Sequence, residues 1–305
     1  MTGSSHPAEM ATSVGLLTAP APRAAHAPVQ RTVEVIGRRP VDAYVELTLA
    51  APEIAERAQP GQFVAFAVGG DTSALLLRRS IAISTAEDGV VTVVVSAAGP
   101  GSTWLTERQV GDTLDVVGPL GRPFPGPPAG ARALLVGGGY GAAALVGLAV
   151  RLRAEGHPVD VVAGAAAVDR LCSVQELIGI ADTVAVTTDD GSSGRQGLVT
   201  LAVDELLPDA GVVYACGPMP MLRAVADAAT AHGIPSYVAV EESMACGIGV
   251  CMTCVLPIVG EDGRTRFSRS CTEGPVFGGD RVRFADVGTL PWDVVGADAM
   301  GVVQP

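Results

Sequence analysis

The chain contains 305 residues, of which 48% are hydrophobic and 17% are charged, and its formal net charge is −12. This composition can bury large cores, and the length is sufficient for about two or three domains. The acidic charge argues against nucleic acid as a partner, because neutralising phosphate groups requires a basic surface.

The N-terminal residues 1–29 are predicted to form a disordered tail. They are rich in Ala, Pro, Ser and Thr, and they lack the cationic start and apolar run of a secretory signal. We therefore expect a cytoplasmic protein, in which cysteine thiols remain reduced.

Residues 30–128 are predicted to form a small antiparallel β-barrel. Short segments rich in Val and Thr alternate with Gly and Asp at intervals of roughly ten residues, which is typical of closely connected strands. The segment "LLLRRSIAIS" places Arg78 and Arg79 at the start of one strand, and "AAGPGSTWL" provides glycines and hydroxyls in a turn. These residues could hold a pyrophosphate, although a charged strand edge and an ordinary hairpin turn explain them equally simply.

Residues 129–240 alternate between apolar strands and helical segments, which predicts a doubly wound parallel sheet. Within them, residues 133–150 contain no charge and are long enough to cross a membrane. The glycine-rich sequence "GGGYG" interrupts this stretch and favours a strand, a turn and a helix instead. We therefore expect no membrane span.

Ligands of parallel sheets bind at the carboxyl ends of the strands. Three stretches are predicted to meet there: "GGGYG", "TTDDGSSG" and "ACGPMPM". Glycines let the backbone approach a pyrophosphate, and the N-terminus of the following helix favours its charge. The glycine turn is not a strict G-x-G-x-x-G, so a tight turn without a ligand remains an alternative. The candidate dinucleotide contacts in the first two stretches are Gly137, Gly138, Gly139, Gly141 and Asp190.

Four cysteines near the C-terminus have the spacing Cys246-x4-Cys251-x2-Cys254-x16-Cys271. This is the plant-type ferredoxin arrangement, which holds a [2Fe–2S] cluster. Structural zinc prefers paired C-x2-C units, and only one pair here has that spacing. Disulfides would require an oxidising compartment. The spacing therefore favours the cluster, with zinc and disulfides as alternatives.

The cysteine-bearing residues 241–285 are predicted to form a small [2Fe–2S] domain, followed by a C-terminal tail over residues 286–305. Cys172 lies apart from this group, in the amphipathic helical pattern "DRLCSVQEL". We interpret Cys172 as a buried apolar residue.

The order of a barrel, a nucleotide-binding α/β domain and a ferredoxin-type loop resembles the ferredoxin-reductase superfamily. The sequence is most similar there to the electron-transfer subunits of NAD-dependent (class B) dihydroorotate dehydrogenases, over about residues 30–285. The most specific motifs are "EESMACGIGVCMTC" and "SCTEGPVF". The motifs "LLRRSIAIS", "GPGSTWL", "VGPLGRPF", "TTDDGSSGRQG" and "ACGPMPML" follow in the family's order.

The resemblance implies a flavin motif, R-P-x-S, at Arg79, Ser80, Ile81 and Ala82. Arg79 would neutralise the pyrophosphate of FAD. The proline and the serine of the motif are absent, and Ala82 removes a hydroxyl that faces the flavin ring in the family.

The resemblance also implies two further FAD contacts. Val94, Val95 and Ser96 match the strand that lines the FAD, although the family often has an arginine in place of Ser96. Gly101 and Ser102 match the G-T pair beside the pyrophosphate.

In the nucleotide domain, the family's G-G-G-I-G-x-x-P corresponds to residues 137–144, without the proline. Cys216 and Gly217 match the motif that approaches the nicotinamide, and Cys216 is the candidate catalytic residue. The resemblance leaves NAD and NADP as alternatives, with NAD expected.

The resemblance implies an iron–sulfur flavoprotein subunit of pyrimidine biosynthesis. Electrons would pass from the FMN of a dihydroorotate dehydrogenase catalytic subunit through the [2Fe–2S] cluster and FAD to NAD⁺, in a heterotetramer with two copies of each subunit. The departures at Ala82, Ser96 and Ala144 leave a second possibility, a reductase subunit that oxidises NAD(P)H and serves ferredoxin or a sulfur-reducing enzyme. A non-catalytic iron–sulfur or zinc protein is the third.

Overall fold

The computed structural model describes residues 27–70 and 73–301 of the chain. They form a closed barrel, a seven-stranded sheet with helices on both faces, and a small C-terminal part built on a two-stranded hairpin. The predicted fold class is confirmed. The tail predicted for residues 1–29 lies outside the described residues up to position 26, and Val29 already begins the first strand.

The barrel is antiparallel and closes through the pairing of its first and last strands. Its strands follow the order β1-β2-β5-β4-β3-β6. They are β1 (Val29–Val41), β2 (Tyr44–Ala50), β3 (Phe63–Phe66), β4 (Arg79–Glu87), β5 (Val90–Ser96) and β6 (Thr113–Leu120). Two short helices, α1 (Pro52–Ala55) and α2 (Pro100–Thr106), connect them. Alternate residues of β5 point into the core, where Val91, Val93 and Val95 are fully buried.

The second sheet has the order β10-β9-β8-β7-β11-β12-β15. Its parallel strands are β7 (Ala133–Gly138), β8 (Val159–Ala165), β9 (Thr183–Thr188), β10 (Arg195–Gln196), β11 (Val212–Cys216) and β12 (Ser236–Ala239). Its helices are α3 (Ala143–Ala154), α4 (Val174–Ile178), α5 (Thr200–Leu206) and α6 (Met219–Ala231). Helices α3 and α4 cover one face, and α5 and α6 cover the other. Because both faces are covered, the central strands are continuous apolar runs.

The uncharged stretch 133–150 is strand β7, a 3₁₀ turn over Gly139–Ala142 and the first part of α3. Across the part of the chain that the structure describes, no helix combines the length and apolarity needed to cross a membrane.

The C-terminal part contains β13 (Val255–Val259), β14 (Thr265–Arg269) and β15 (Val276–Gly278). Strand β15 pairs antiparallel with β12, so the second sheet extends past residue 240, the predicted end of its domain. The segment 286–301, which falls in the predicted tail, packs against the hairpin. Val294 and Ala297 are buried, and Asp293 accepts hydrogen bonds of 2.7 Å from Arg283. Apolar packing and an ion pair therefore both hold this segment in place.

The barrel and the second sheet are in close contact. A Cβ on Gly147 of α3 would lie 2.7 Å from the carbonyl oxygen of Ser84 in β4. At the other end of the contact, Arg39 forms an ion pair of 2.6 Å with Glu176 of α4. Together these contacts hold the barrel and the second sheet against each other.

Candidate active site and cysteine loop

A cleft of about 300 Å³ lies between the barrel and the carboxyl end of the parallel sheet. Several residues that the sequence analysis named line this cleft. From the barrel and α2 they are Arg79, Ser80, Ile81, Ala82, Val94, Ser96 and Ser102, and from the sheet they are Gly141, Cys216 and Gly217. The two sets of predicted cofactor contacts therefore face each other across one space.

The guanidinium of Arg79 lies against the first turn of α2. A Cβ on Gly101 would be 2.4 Å from the Nε atom of Arg79, so the glycine leaves the room that the guanidinium occupies. The Oγ of Ser102 accepts hydrogen bonds of 3.0 Å from the backbone N–H groups of Ala98 and Gly99. A guanidinium beside a glycine-bearing turn is suited to a phosphate group, because charge-assisted hydrogen bonds to phosphate are strong.

The neighbouring Arg78 has a different role. Its side chain pairs with Asp115 at 3.0 Å and donates to the backbone carbonyls of Ala65 and Asp115. Consecutive side chains of a strand point to opposite faces, so only Arg79 reaches the cleft.

The same alternation separates the residues of β5. Val94 and Ser96 line the cleft, whereas the side chain of Val95 is 0% exposed in the barrel core. Val95 was named as a flavin contact, and the structure places its side chain on the opposite face of the strand.

Glycines at the end of β7 and in the turn that follows allow this turn to pack closely against the turn after β11. A Cβ on Gly141 would lie 2.5 Å from the carbonyl oxygen of Cys216, and one on Gly217 would lie 3.0 Å from the backbone of Gly138. Gly139 adopts a φ of +55°, in the left-handed region. Gly137 and Gly138 do not line the cleft; they permit close packing of the turn against its neighbours.

Asp190 lies outside the cleft, on the loop after β9. Its carboxylate accepts hydrogen bonds from the Oγ of Ser192 at 2.6 Å and from the backbone N–H of Ser192 at 2.9 Å. These bonds lower the pKa of Asp190. The structure therefore separates Asp190 from the other predicted contacts.

Cys216 lies at the carboxyl end of β11, at the wall of the cleft. Burial raises the pKa of its thiol to about 12. The thiol therefore keeps its proton at neutral pH, which suits a neutral contact for a bound ring and not a nucleophile.

The cleft also contains residues that sequence reasoning missed: Phe63, Tyr140, Glu241, Glu242, Met244 and Pro275. Burial raises the pKa of both glutamates. Glu241 and Glu242 follow β12 after Val240, and the carboxyl end of a parallel strand is a signal that could have identified them. Phe63 and Pro275 come from distant segments, and no local pattern marks them.

The four clustered cysteines form two pairs. Cys246 and Cys251 form the outer pair, in which Cys246 is half-buried and Cys251 is exposed. Hydrogen bonds from Thr253 and Cys246 lower the pKa of Cys251 to about 6. Cys254 and Cys271 form the buried inner pair, in which burial raises the pKa of Cys271 to about 12.

The loop has features that fit an iron–sulfur cluster. The backbone N–H groups of Ile248 and Val250 donate to the Sγ atom of Cys246, each at 3.4 Å. Gly247 and Gly249 adopt φ values of +71° and +82°, which turn the backbone N–H groups toward the sulfur. The Oγ1 atom of Thr272 is buried there without a hydrogen-bond partner. N–H and O–H donors of this kind bond to cluster sulfurs.

All six cysteines are free thiols in the structure. Within residues 27–70 and 73–301, no three His, Cys, Asp or Glu side chains are grouped as ligands of one metal ion. The ferredoxin-type spacing of the cysteines and the backbone N–H donors at Cys246 fit a [2Fe–2S] cluster.

The inner cysteines adjoin the cleft. Cys254 and Cys271 pack in one apolar group with Phe63, Leu120 and Met244. Of these, Phe63 and Met244 also line the cleft. The inner cysteines and the cleft therefore share one apolar cluster.

These features define an electron-transfer oxidoreductase of the ferredoxin-reductase type: a barrel and a nucleotide-binding sheet share one cleft, and a ferredoxin-type loop adjoins it. Solved structures agree with this class. An NADH-dependent reduced ferredoxin-NADP oxidoreductase, determined in work on flavin-based electron bifurcation, superposes with a TM-score of 0.73 at 30% identity, covering 84% of this chain and 91% of that chain. The ferredoxin reductase in carbazole 1,9a-dioxygenase superposes with a TM-score of 0.58 at 26% identity, covering 69% of this chain and 68% of that chain.

Sequence relatives identify the family. Residues 241–283 match the iron-sulfur cluster binding domain of dihydroorotate dehydrogenase B. The dihydroorotate dehydrogenase B (NAD(+)) electron transfer subunit of Bacillus caldolyticus is 40% identical over 235 residues, which are 76% of this chain and 90% of the relative. The subunit of Caldanaerobacter subterraneus subsp. tengcongensis is 35% identical over 229 residues, 75% of this chain and 89% of the relative. The chain belongs to the family of dihydroorotate dehydrogenase B (NAD(+)) electron transfer subunits, and the resemblance seen in the sequence is confirmed.

Proposed function

We propose that this chain accepts electrons from an FMN-containing dihydroorotate dehydrogenase catalytic subunit and delivers them to NAD⁺, as one step of pyrimidine biosynthesis. The observation that carries the proposal is the packing of Cys254 and Cys271 in one apolar cluster with Phe63 and Met244, two residues that also line the cleft. Electron transfer needs its centres close together, and this packing brings their candidate sites together.

The residues of the cleft would divide between two nucleotides. Arg79, with room made by Gly101, would hold the FAD phosphates, and Ala82 and Ser96 would border the flavin. Gly141, Cys216 and Gly217 lie at two adjoining turns and would receive the nicotinamide end of NAD⁺ from the sheet side. When bound, the [2Fe–2S] cluster exchanges single electrons, and FAD collects two and returns them as a hydride.

Part of the loop around the outer cysteines would face the partner. Ile248, Val250 and Met252 are large apolar residues that stand exposed beside Cys251. Grouped exposed apolar side chains mark protein–protein contact surfaces. The proposed assembly is a heterotetramer with two copies of each subunit, and the proposed location is the cytoplasm, where the cluster thiols stay reduced.

The absorption spectrum of the purified protein tests the proposal, together with its content of flavin, iron and sulfide. We expect FAD and two irons per chain, and an FMN-containing catalytic subunit that co-purifies when both are expressed. A colourless protein that contains zinc and no flavin would contradict every electron-transfer function.

A second candidate function is favoured by one comparison. The ferredoxin-NADP oxidoreductase structure matches 84% of this chain, and the departures at Ala82, Ser96 and Ala144 all line the cleft. In that case the chain would pass electrons from NAD(P)H toward ferredoxin or a sulfur-reducing enzyme. The protein that co-purifies distinguishes the two functions, because the cofactor content would be the same.

A further inference from the structure

Tyr140 is a large aromatic residue inside the glycine turn "GGGYG". Its side chain lines the cleft, and the residue is 40% exposed. An aromatic ring with a polar tip is well suited to contact another ring at such a wall.

The ring of Tyr140 is held in place by the barrel. It makes an edge-to-face contact with Tyr44, with ring centroids 5.8 Å apart and an angle of 66° between the planes. Tyr44 is buried, and its hydroxyl donates a hydrogen bond of 3.0 Å to the carbonyl oxygen of Arg170. Tyr44 also pairs directly with Ser96 across the β2–β5 ladder. Tyr140 therefore reaches from the nucleotide turn to the strand that lines the flavin side of the cleft.

The cleft residues around Tyr140 are small. Ala82, Ser96 and Ala144 line the same cleft as Tyr140. The bulky ring of Tyr140 therefore stands among small side chains at this wall.

We propose that Tyr140 is a positioning residue whose ring packs against the isoalloxazine of bound FAD and holds it in the cleft. This inference rests on the proposed function, because it requires FAD in the cleft. Aromatic rings in offset or edge contact attract each other beyond their buried area.

The test uses the full-length variants Tyr140→Leu and Tyr140→Phe. A phenol in contact with a flavin quenches its fluorescence by electron transfer, which neither leucine nor phenylalanine does efficiently. We expect the emission of bound FAD to rise several-fold in both variants. We expect the Kd for FAD to increase by about two- to tenfold in Tyr140→Leu and to stay close to that of the wild type in Tyr140→Phe, which keeps the ring.

Tyr237→Phe is the matched control, because the ring of Tyr237 stacks on Tyr214 in the sheet and does not line the cleft. Its bound FAD should emit like that of the wild type. Unchanged emission in both Tyr140 variants, or an unchanged Kd in Tyr140→Leu, would refute the inference while the protein still bound FAD. A wild-type protein that took up no FAD would refute the proposed function itself, and the inference with it.

Discussion

Two adjacent arginines have different structural roles in this chain. Arg78 is tied to Asp115 at 3.0 Å and to backbone carbonyls, whereas Arg79 lies at the cleft beside Gly101. We predict that Arg79→Ala weakens FAD binding by about one to two orders of magnitude, because a charge-assisted phosphate contact contributes roughly 1.5–3 kcal/mol. Titration of the flavin-free protein with FAD measures this change.

Arg78→Ala is the control for Arg79→Ala. It removes an ion pair and two hydrogen bonds from the barrel, so thermal unfolding should occur at a lower temperature while FAD affinity is largely kept. The opposite result, with FAD lost from the Arg78 variant and kept by the Arg79 variant, would place the flavin motif one residue away from Arg79.

The first turn of α2 makes the position of Arg79 possible. A Cβ on Gly101 would lie 2.4 Å from the guanidinium, which is the mobile end of a long side chain. We predict that Gly101→Ala displaces the guanidinium and weakens FAD binding by about tenfold. Thermal stability should not fall, because alanine favours helix more than glycine does by about 1 kcal/mol. FAD titration and thermal melting together measure the two effects.

Gly99→Ala is the matched control in the same turn. A Cβ there would have no atom within 4 Å, and a φ of −168° is open to any residue. Its FAD affinity should equal that of the wild type. Equal losses in the Gly99 and Gly101 variants would show that the turn itself, and not the room for Arg79, determines binding.

Local patterns predicted most of the elements of this fold. Short Val- and Thr-rich segments at intervals of roughly ten residues predicted the barrel, strands that alternate with helical segments predicted the parallel sheet, and cysteine spacing predicted the loop. The side-chain direction of Val95 follows from strand alternation, which the resemblance did not take into account when it implied an FAD contact there. Phe63, Pro275 and the antiparallel strand β15 reach the cleft or the sheet only through long-range packing, which a local pattern does not encode.

In the whole molecule, the candidate cluster site at the cysteine loop lies next to the cleft that is proposed to hold both FAD and NAD. Cys251 is exposed, Cys254 and Cys271 are buried, and the buried pair packs with Phe63 and Met244, which also line the cleft. The cleft itself is shared by the barrel and the sheet. In the proposed function, contact between FAD and NAD(H) in this cleft would not depend on the cysteine loop, whereas electron transfer from the partner would.

The two halves of the proposed route can therefore be separated with Cys254→Ser. Removing this inner thiol should abolish the [2Fe–2S] signal in electron paramagnetic resonance while FAD stays bound, because Arg79 and the α2 turn lie in the barrel. NADH should still reduce the flavin of the variant in stopped-flow absorption, since hydride transfer needs only the two nucleotides in contact. Dihydroorotate-driven reduction of NAD⁺, measured with the catalytic subunit present, should be lost.

Cys172→Ala is the control, because this buried cysteine lies outside the loop and packs with Tyr44, Val94 and Ala143. It should keep the cluster signal and both electron-transfer reactions. Dihydroorotate should not reduce the isolated wild-type chain, because the proposed FMN site belongs to the catalytic subunit. If the isolated chain oxidised dihydroorotate unaided, or if Cys254→Ser coupled normally to its partner without a cluster, electrons would not travel through the cysteine loop, and the packing of the inner cysteines with Phe63 and Met244 would have only a structural role.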